Sequence, residues 1–239
     1  MNKGILIGVG IGPGHVKYLT LDAVEALRTA DIIVDVAGPR SRESISEKII
    51  NDLGGCSGER VHFITPMSRN LAERERLWDE KAEQVKSWLC DGKKVAYVTL
   101  GDPLIYSTFG YLRRALLTLD AKTTIKVIPG ITSFQAAAAH TGEVLLENDE
   151  VLALLPANFN KEKLPDLLQH VDTAAVLKAS KNKKELFDSV NTALESKAFL
   201  FATRMEQPDE AFSIDPDEAA QMEDTYLSLF ISKRNNHDA

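Results

Sequence analysis

The residues best placed for chemistry lie where apolar runs break. Val95-Ala-Tyr-Val-Thr-Leu100 stops at Gly101-Asp-Pro103, which sets a carboxylate just past the end of a strand. Gly101 lets another backbone come close, and Pro103 removes a ladder donor. A strand, a tight loop with a carboxylate and then a helix is how open α/β sheets build a ligand crevice at their carboxyl edge. An ordinary strand-to-helix turn uses the same residue types. Asp102 could accept hydrogen bonds from the ammonium or hydroxyls of a ligand, or simply cap the next helix.

A second break, Gly8-Val-Gly-Ile-Gly-Pro-Gly14, follows the first strand. A glycine-rich loop there invites a dinucleotide-binding reading. Pro13 sits inside the turn, however, and only Asp31 or Asp35 stands near the position of the expected ribose-binding acid. No Gly-Lys-Ser/Thr follows to make a phosphate loop. His15, His62, His140, His170 and His237 make no pair at metal-ligand spacing, so no metal site is expected. His15 follows Gly-Pro-Gly at the mouth of the first strand, where it could transfer a proton. Lys178, Lys181, Lys183 and Lys184 read as a solvated face before they read as a carboxylate receptor.

The elements that position these residues follow from periodicity. Strands are expected at Ile5–Val9, Ile32–Val36, Val61–Ile64, from Val95, and at Thr124–Ile128. Gly38-Pro39 closes the second and Pro66 stops the third. Helices are expected over Leu19–Ala30 with Thr20 or Asp22 as cap, about 44–52, 70–89 and about 110–118 with Ser107 as cap. An Ala-rich helix follows Pro129-Gly130, capped by Thr132 or Ser133. Strands alternating with helices predict a mostly parallel sheet. Beyond Gly142 the strand candidates are Val151–Leu155, Thr173–Leu177, Ala198–Thr203 and Thr225–Ile231, with helices near 162–169 and 184–194. A smaller domain of mixed strand direction is expected there, giving domains 1–144 and 145–239.

With 239 residues, 44% of them hydrophobic and 26% charged, the chain has the makings of one or two globular domains. A net charge of −7 argues against nucleic-acid binding, although a local basic patch could still hold an anion. Cys56 and Cys90 show no paired spacing, which suits a reducing compartment. Neither a signal peptide nor a membrane span is recognisable, so a cytoplasmic protein is expected.

Three stretches together resemble the tetrapyrrole methylases, the S-adenosylmethionine-dependent enzymes of corrinoid and sirohaem synthesis. They are Gly10-Ile-Gly-Pro-Gly14 with Leu19-Thr-Leu21, Leu100-Gly-Asp-Pro-Leu-Ile-Tyr-Ser-Thr108, and Ile128-Pro-Gly-Ile-Thr-Ser-Phe-Gln-Ala136. Order and spacing fit across nearly the whole chain, up to the closing strand Tyr226–Ile231. Within the family the second and third stretches look most like the branch that methylates C20 of precorrin-2 or cobalt-factor II. The resemblance implies two α/β domains with the cofactor in the cleft between them, usually in a homodimer. It implies cofactor contacts at Pro13, Leu100, Gly101, Asp102, Ile105, Tyr106, Thr132 and Ser133. From the second domain it implies Leu177 and Ala202 or Thr203. The chain departs from the family at His15, where an acidic residue commonly follows Gly-Pro-Gly. Arg40, Arg42, Lys17, Lys178 and Arg204 are candidates for the carboxylates of a tetrapyrrole substrate. Other readings of the same residues are a methylase for another ring carbon or for an RNA or protein target, and a tetrapyrrole carrier without turnover.

Overall fold

The computed structural model describes residues 4–37, 44–65 and 70–234. Gly38, Pro39, Arg40, Arg42, Pro66 and His237 lie outside these. The chain divides into two compact units, Met1–Thr132 and Ser133–Ala239.

The first unit is a five-stranded sheet in the order β3-β2-β4-β1-β5, parallel throughout. Its strands are β1 (Ile5–Gly10), β2 (Ile32–Ala37), β3 (Glu59–Ile64), β4 (Lys94–Thr99) and β5 (Ile125–Ile128). The helices between them are α1 (Leu21–Thr29), α2 (Ile45–Leu53), α3 (Leu71–Cys90) and α4 (Phe109–Leu119). The expected elements are all present, with ends shifted by a residue or two. Central strands buried on both faces read as continuous apolar runs, and β1 and β4 do. One face packs Val34, Phe63, Tyr97, Phe109 and Leu112 with Trp78 and Val85 of α3, the other Ile7, Val9, Ile33 and Val98 with Leu27 and Ile49. Gly8 is small for a packing reason: a Cβ there would lie 2.6 Å from the Phe109 ring.

Thr20, not Asp22, caps α1 by accepting the Ala23 N–H at 3.1 Å. Ser107 accepts the Phe109 N–H at 3.1 Å. Thr108 stands between Ser107 and the helix, and its hydroxyl shares a 2.8 Å hydrogen bond with the buried Tyr97 hydroxyl.

The second unit is a five-stranded sheet in the order β6-β7-β10-β8-β9. These are β6 (Leu152–Pro156), β7 (Thr173–Leu177), β8 (Ser196–Thr203), β9 (Ala211–Ser213) and β10 (Ser228–Arg234). β6 and β7 run parallel and the other pairings are antiparallel, the mixed direction expected. The helices are α5 (Ser133–Thr141), α6 (Leu164–Leu168), α7 (Lys183–Leu194) and α8 (Pro216–Gln221). One face of the sheet is an aromatic core, with Phe187 of α7 at 4.9–5.4 Å from the rings of Phe199, Phe201 and Phe230. The other face is covered by Phe134, Ala136 and Ala137 of α5, against Ala175, Leu200, Ala202, Leu229 and Ile231. This packing assigns α5 to the second unit, so the division falls before that helix and not after it.

Candidate donor-binding site

In an all-parallel sheet every strand ends on one edge, and the turns after neighbouring strands meet there. Here those after β1, β4 and β5 meet through their backbones. The Gly101 N–H donates to the Gly12 carbonyl at 2.8 Å, and the Ile11 N–H to the Thr99 carbonyl at 3.0 Å. Gly12 and Gly101 have φ of 76° and 67°, the left-handed region that glycine reaches without strain. A Cβ on Gly130 would lie 2.1 Å from the Gly101 carbonyl oxygen, and one on Gly10 would lie 2.5 Å from the Gly130 nitrogen. Glycine is therefore required at Gly10 and Gly130 by contact, not by φ.

Asp102 ties this arrangement together. One carboxylate oxygen accepts the Leu104 N–H at 2.8 Å within its own loop. The other accepts the Gly130 N–H at 3.0 Å from the turn after β5. Its carboxylate is thus committed to positioning, and helix capping falls to other residues. Pro13 is buried beside Gly12, and Thr132 is 5% exposed with its Cα 3.9 Å from where a Gly101 Cβ would be. Of the expected donor contacts, the structure brings together Pro13, Leu100, Gly101, Asp102 and Thr132, and Ile105 and Tyr106 follow in the same loop. Tyr106 holds φ of 47°, a conformation costing about 1–3 kcal/mol in a non-glycine residue. Leu104 and Tyr106 are exposed, so this loop presents apolar surface beside the glycine turns. Partial burial holds the Tyr106 hydroxyl above the ordinary phenol range.

In the second unit, Leu177 and Ala202 flank Leu229 in one lateral row across β7, β10 and β8. Thr203 is the next residue of β8, opposite Ser228, and is 4% exposed. Since strand side chains alternate, Ala202 and Thr203 face opposite sides of the sheet. Lys178 and Arg204, each directly after its strand, are left-handed, with φ of 63° and 48°. Their N–H groups donate to the Ser228 and Leu227 carbonyls at 2.7 and 2.8 Å. Ser133 opens α5.

The lysine cluster is not one solvated face. Lys183 is buried, with its ammonium on the Met222 carbonyl and 3.2 Å from Asp224. Lys184 pairs with Asp217 at 3.0 Å, which raises its pKa. Lys178 lies over the Tyr226 ring and Lys17 over the Tyr18 ring. Arg204 holds Asp209 at 3.1 Å and Glu223 at 2.9 Å, which weakens its case as a substrate contact. Asp31 accepts the Lys94 N–H at 2.7 Å through one oxygen, and Asp35 is engaged through both oxygens by His62 and Ser44. Sequence reasoning passed over the role of Gly130 and the Asp35 cluster. The signal for the latter was a carboxylate inside the apolar run Ile32-Ile-Val-Asp-Val36. Among the described residues no group of three or more His, Cys, Asp or Glu could hold a metal ion, and no helix is long and apolar enough to cross a membrane.

The sequence profile of the tetrapyrrole (corrin/porphyrin) methylases matches residues 5–211. The chain is 35% identical to a Methanocaldococcus jannaschii protein named "Probable cobalt-precorrin-2 C(20)-methyltransferase", over 77% of each chain. It is 30% identical to the cobalt-precorrin-2 C(20)-methyltransferase of Salmonella typhimurium, over 74% of this chain and 73% of that protein. A solved uroporphyrin-III C-methyl transferase from Thermus thermophilus, complexed with S-adenyl homocysteine, has the same fold at a TM-score of 0.66 and 22% identity, covering 96% of this chain and 97% of that one. With a profile that spans most of its length and sequence relatives alike over three quarters of theirs, the chain belongs to the tetrapyrrole (corrin/porphyrin) methylase family.

Proposed function

We propose that the protein is an S-adenosylmethionine-dependent C-methyltransferase that acts on C20 of precorrin-2 or cobalt-factor II in cobalamin biosynthesis. The observation that carries this is the likeness to two relatives named for that reaction, across three quarters of the chain. The residues present suit the cofactor: Gly10, Gly101 and Gly130 pack backbone against backbone, and the Asp102 carboxylate ties the turn after β4 to the turn after β5. When bound, S-adenosylmethionine supplies a methyl group already activated on a sulfonium.

The protein then has to orient, exclude water and hold the acceptor. Asp102 fixes the turns after β4 and β5 against each other, so the main-chain groups are set before any ligand arrives. The residues proposed to touch the donor are Pro13, Leu100, Gly101, Asp102, Ile105, Tyr106, Thr132 and Ser133, with Leu177, Ala202 and Thr203. Asp102 does so through its backbone, its carboxylate being engaged. Lys17 and Lys178, each over a tyrosine ring, are proposed to meet substrate carboxylates. The protein is further proposed to be a cytoplasmic homodimer with no nucleic-acid partner.

Calorimetry with S-adenosylhomocysteine, and turnover of precorrin-2 and of cobalt-factor II with a 13C-labelled donor, test this reading. Micromolar binding and a 13C signal at C20 are expected. A signal at another ring carbon reassigns the reaction, and absence of binding overturns it.

A further inference from the structure

Asp35 is a buried carboxylate, 4% exposed, in an otherwise apolar strand. Burying an ionised group is costly unless it is paired and hydrogen-bonded. Both of its oxygens are engaged. His62, directly opposite in the β2–β3 register, places Nδ1 2.5 Å from Oδ1. Ser44 donates its hydroxyl to Oδ2 while accepting the Glu47 N–H at 3.0 Å as the cap of α2. The imidazole is thus aimed by an acid that is itself fixed by a helix cap.

The partner decides which ring nitrogen carries the proton. Facing a carboxylate, Nδ1 of His62 holds the hydrogen, and Nε2 keeps a lone pair on a side chain 43% exposed. His15 is the reverse case. Its Nδ1 accepts the Lys17 N–H at 3.1 Å, so in the neutral ring Nε2 carries the hydrogen and can only donate. Of the two histidines, His62 offers a base. It also lies in the carboxyl half of the sheet: His62 is two residues short of the end of β3 at Ile64, and β3 is two strands, about 10 Å across the sheet, from β4, whose Gly101 loop follows Thr99.

From this geometry, and resting on the methyltransferase reading, we infer that His62, aimed by Asp35 and Ser44, is the base that deprotonates the acceptor carbon after methylation. As the new C–C bond forms, the S–CH3 bond breaks and the sulfonium becomes a neutral thioether. The methylated ring carbon then carries both CH3 and H. Its C–H bond breaks, the electron pair returns to the conjugated ring, and the proton goes to Nε2. The resulting imidazolium is stabilised by Asp35. His62 is the catalytic residue, and Asp35 and Ser44 are positioning residues.

The test uses the full chain and begins with 15N NMR of the unliganded protein, where the Nδ1–H tautomer of His62 is expected. An Nε2–H tautomer overturns the proposal. His62→Gln and His62→Ala, changed at a half-exposed side chain, should bind S-adenosylhomocysteine within twofold of wild type. Their single-turnover rate should fall about 100-fold or more, the usual worth of a general base. With substrate deuterated at the acceptor carbon they should show a primary isotope effect absent from wild type, and imidazole should restore His62→Ala. Asp35→Asn should slow proton loss with donor affinity retained. A full rate in both His62 variants overturns the inference, as does an isotope effect that appears in His15→Ala instead. So does a defect confined to substrate KM, which would make His62 a carboxylate contact. Failure of wild type to bind S-adenosylhomocysteine would instead sink the methyltransferase reading itself.

Discussion

The two units solve one problem, placing main-chain groups at an edge, in different ways. In the first, parallel strands send all their carboxyl ends to one side, and three turns meet through glycine backbone, two of them tied by the Asp102 carboxylate. In the second, β10 runs against both its neighbours, so the ends of β7 and β8 meet its beginning. Contacts there are lateral, from Leu177 through Leu229 to Ala202. The first arrangement depends on glycines and one carboxylate; the second depends on what packs beneath the sheet.

The largest expected effect isolates that dependence. Phe187→Ala removes the ring around which three other phenylalanines pack, and should cost about 3–5 kcal/mol by denaturant unfolding. Should it cost less than 1 kcal/mol, the second unit does not rest on its aromatic core. Gly130→Ala drives a Cβ into the Gly101 carbonyl, an overpacking worth about 1–3 kcal/mol, and should also weaken S-adenosylhomocysteine binding more than tenfold by calorimetry. Unchanged affinity would detach the glycine turns from the donor site. Asp102→Ala leaves two N–H groups without their acceptor, at about 1–3 kcal/mol, and should lower donor affinity while Phe187→Ala leaves it intact in the folded fraction.

The smallest effect is one of pH. Burial chiefly, and the charge of Asp35 to a lesser degree, push the Tyr97 hydroxyl above its ordinary value of 10.0, with the Thr108 hydrogen bond opposing. Above about pH 10 the unfolded chain gives up this proton while the folded one keeps it, so stability is full below that pH and falls as pH rises further. Tyr97→Phe should flatten this alkaline slope in thermal unfolding between about pH 9 and about pH 11. An unchanged slope would assign the alkaline loss to other groups.

The same contrast explains what could be read from the sequence. Parallel strands are short apolar runs cut by glycine and proline, and the first five were legible to within a residue or two. Their turns carry the motifs, so Gly101, Asp102 and Thr132 could be named. In the second unit β9 is three residues long, and α8 six; both escaped notice because each is too short for its periodic pattern to repeat and stand out. Lys183 looked solvated because composition does not reveal that a lysine turns inward to a carbonyl. The Asp35–His62 pair joins residues 27 apart in sequence, and only the β2–β3 register brings them together.

The contact between Gly10, Gly101 and Gly130 has an evolutionary corollary. Where backbone touches backbone, no side chain is available to be exchanged, so mutation cannot adjust this part of the protein by small steps. It must be inherited whole. Any drift toward a different acceptor has to be written into the surrounding loops, which are free to vary because the floor beneath them is not.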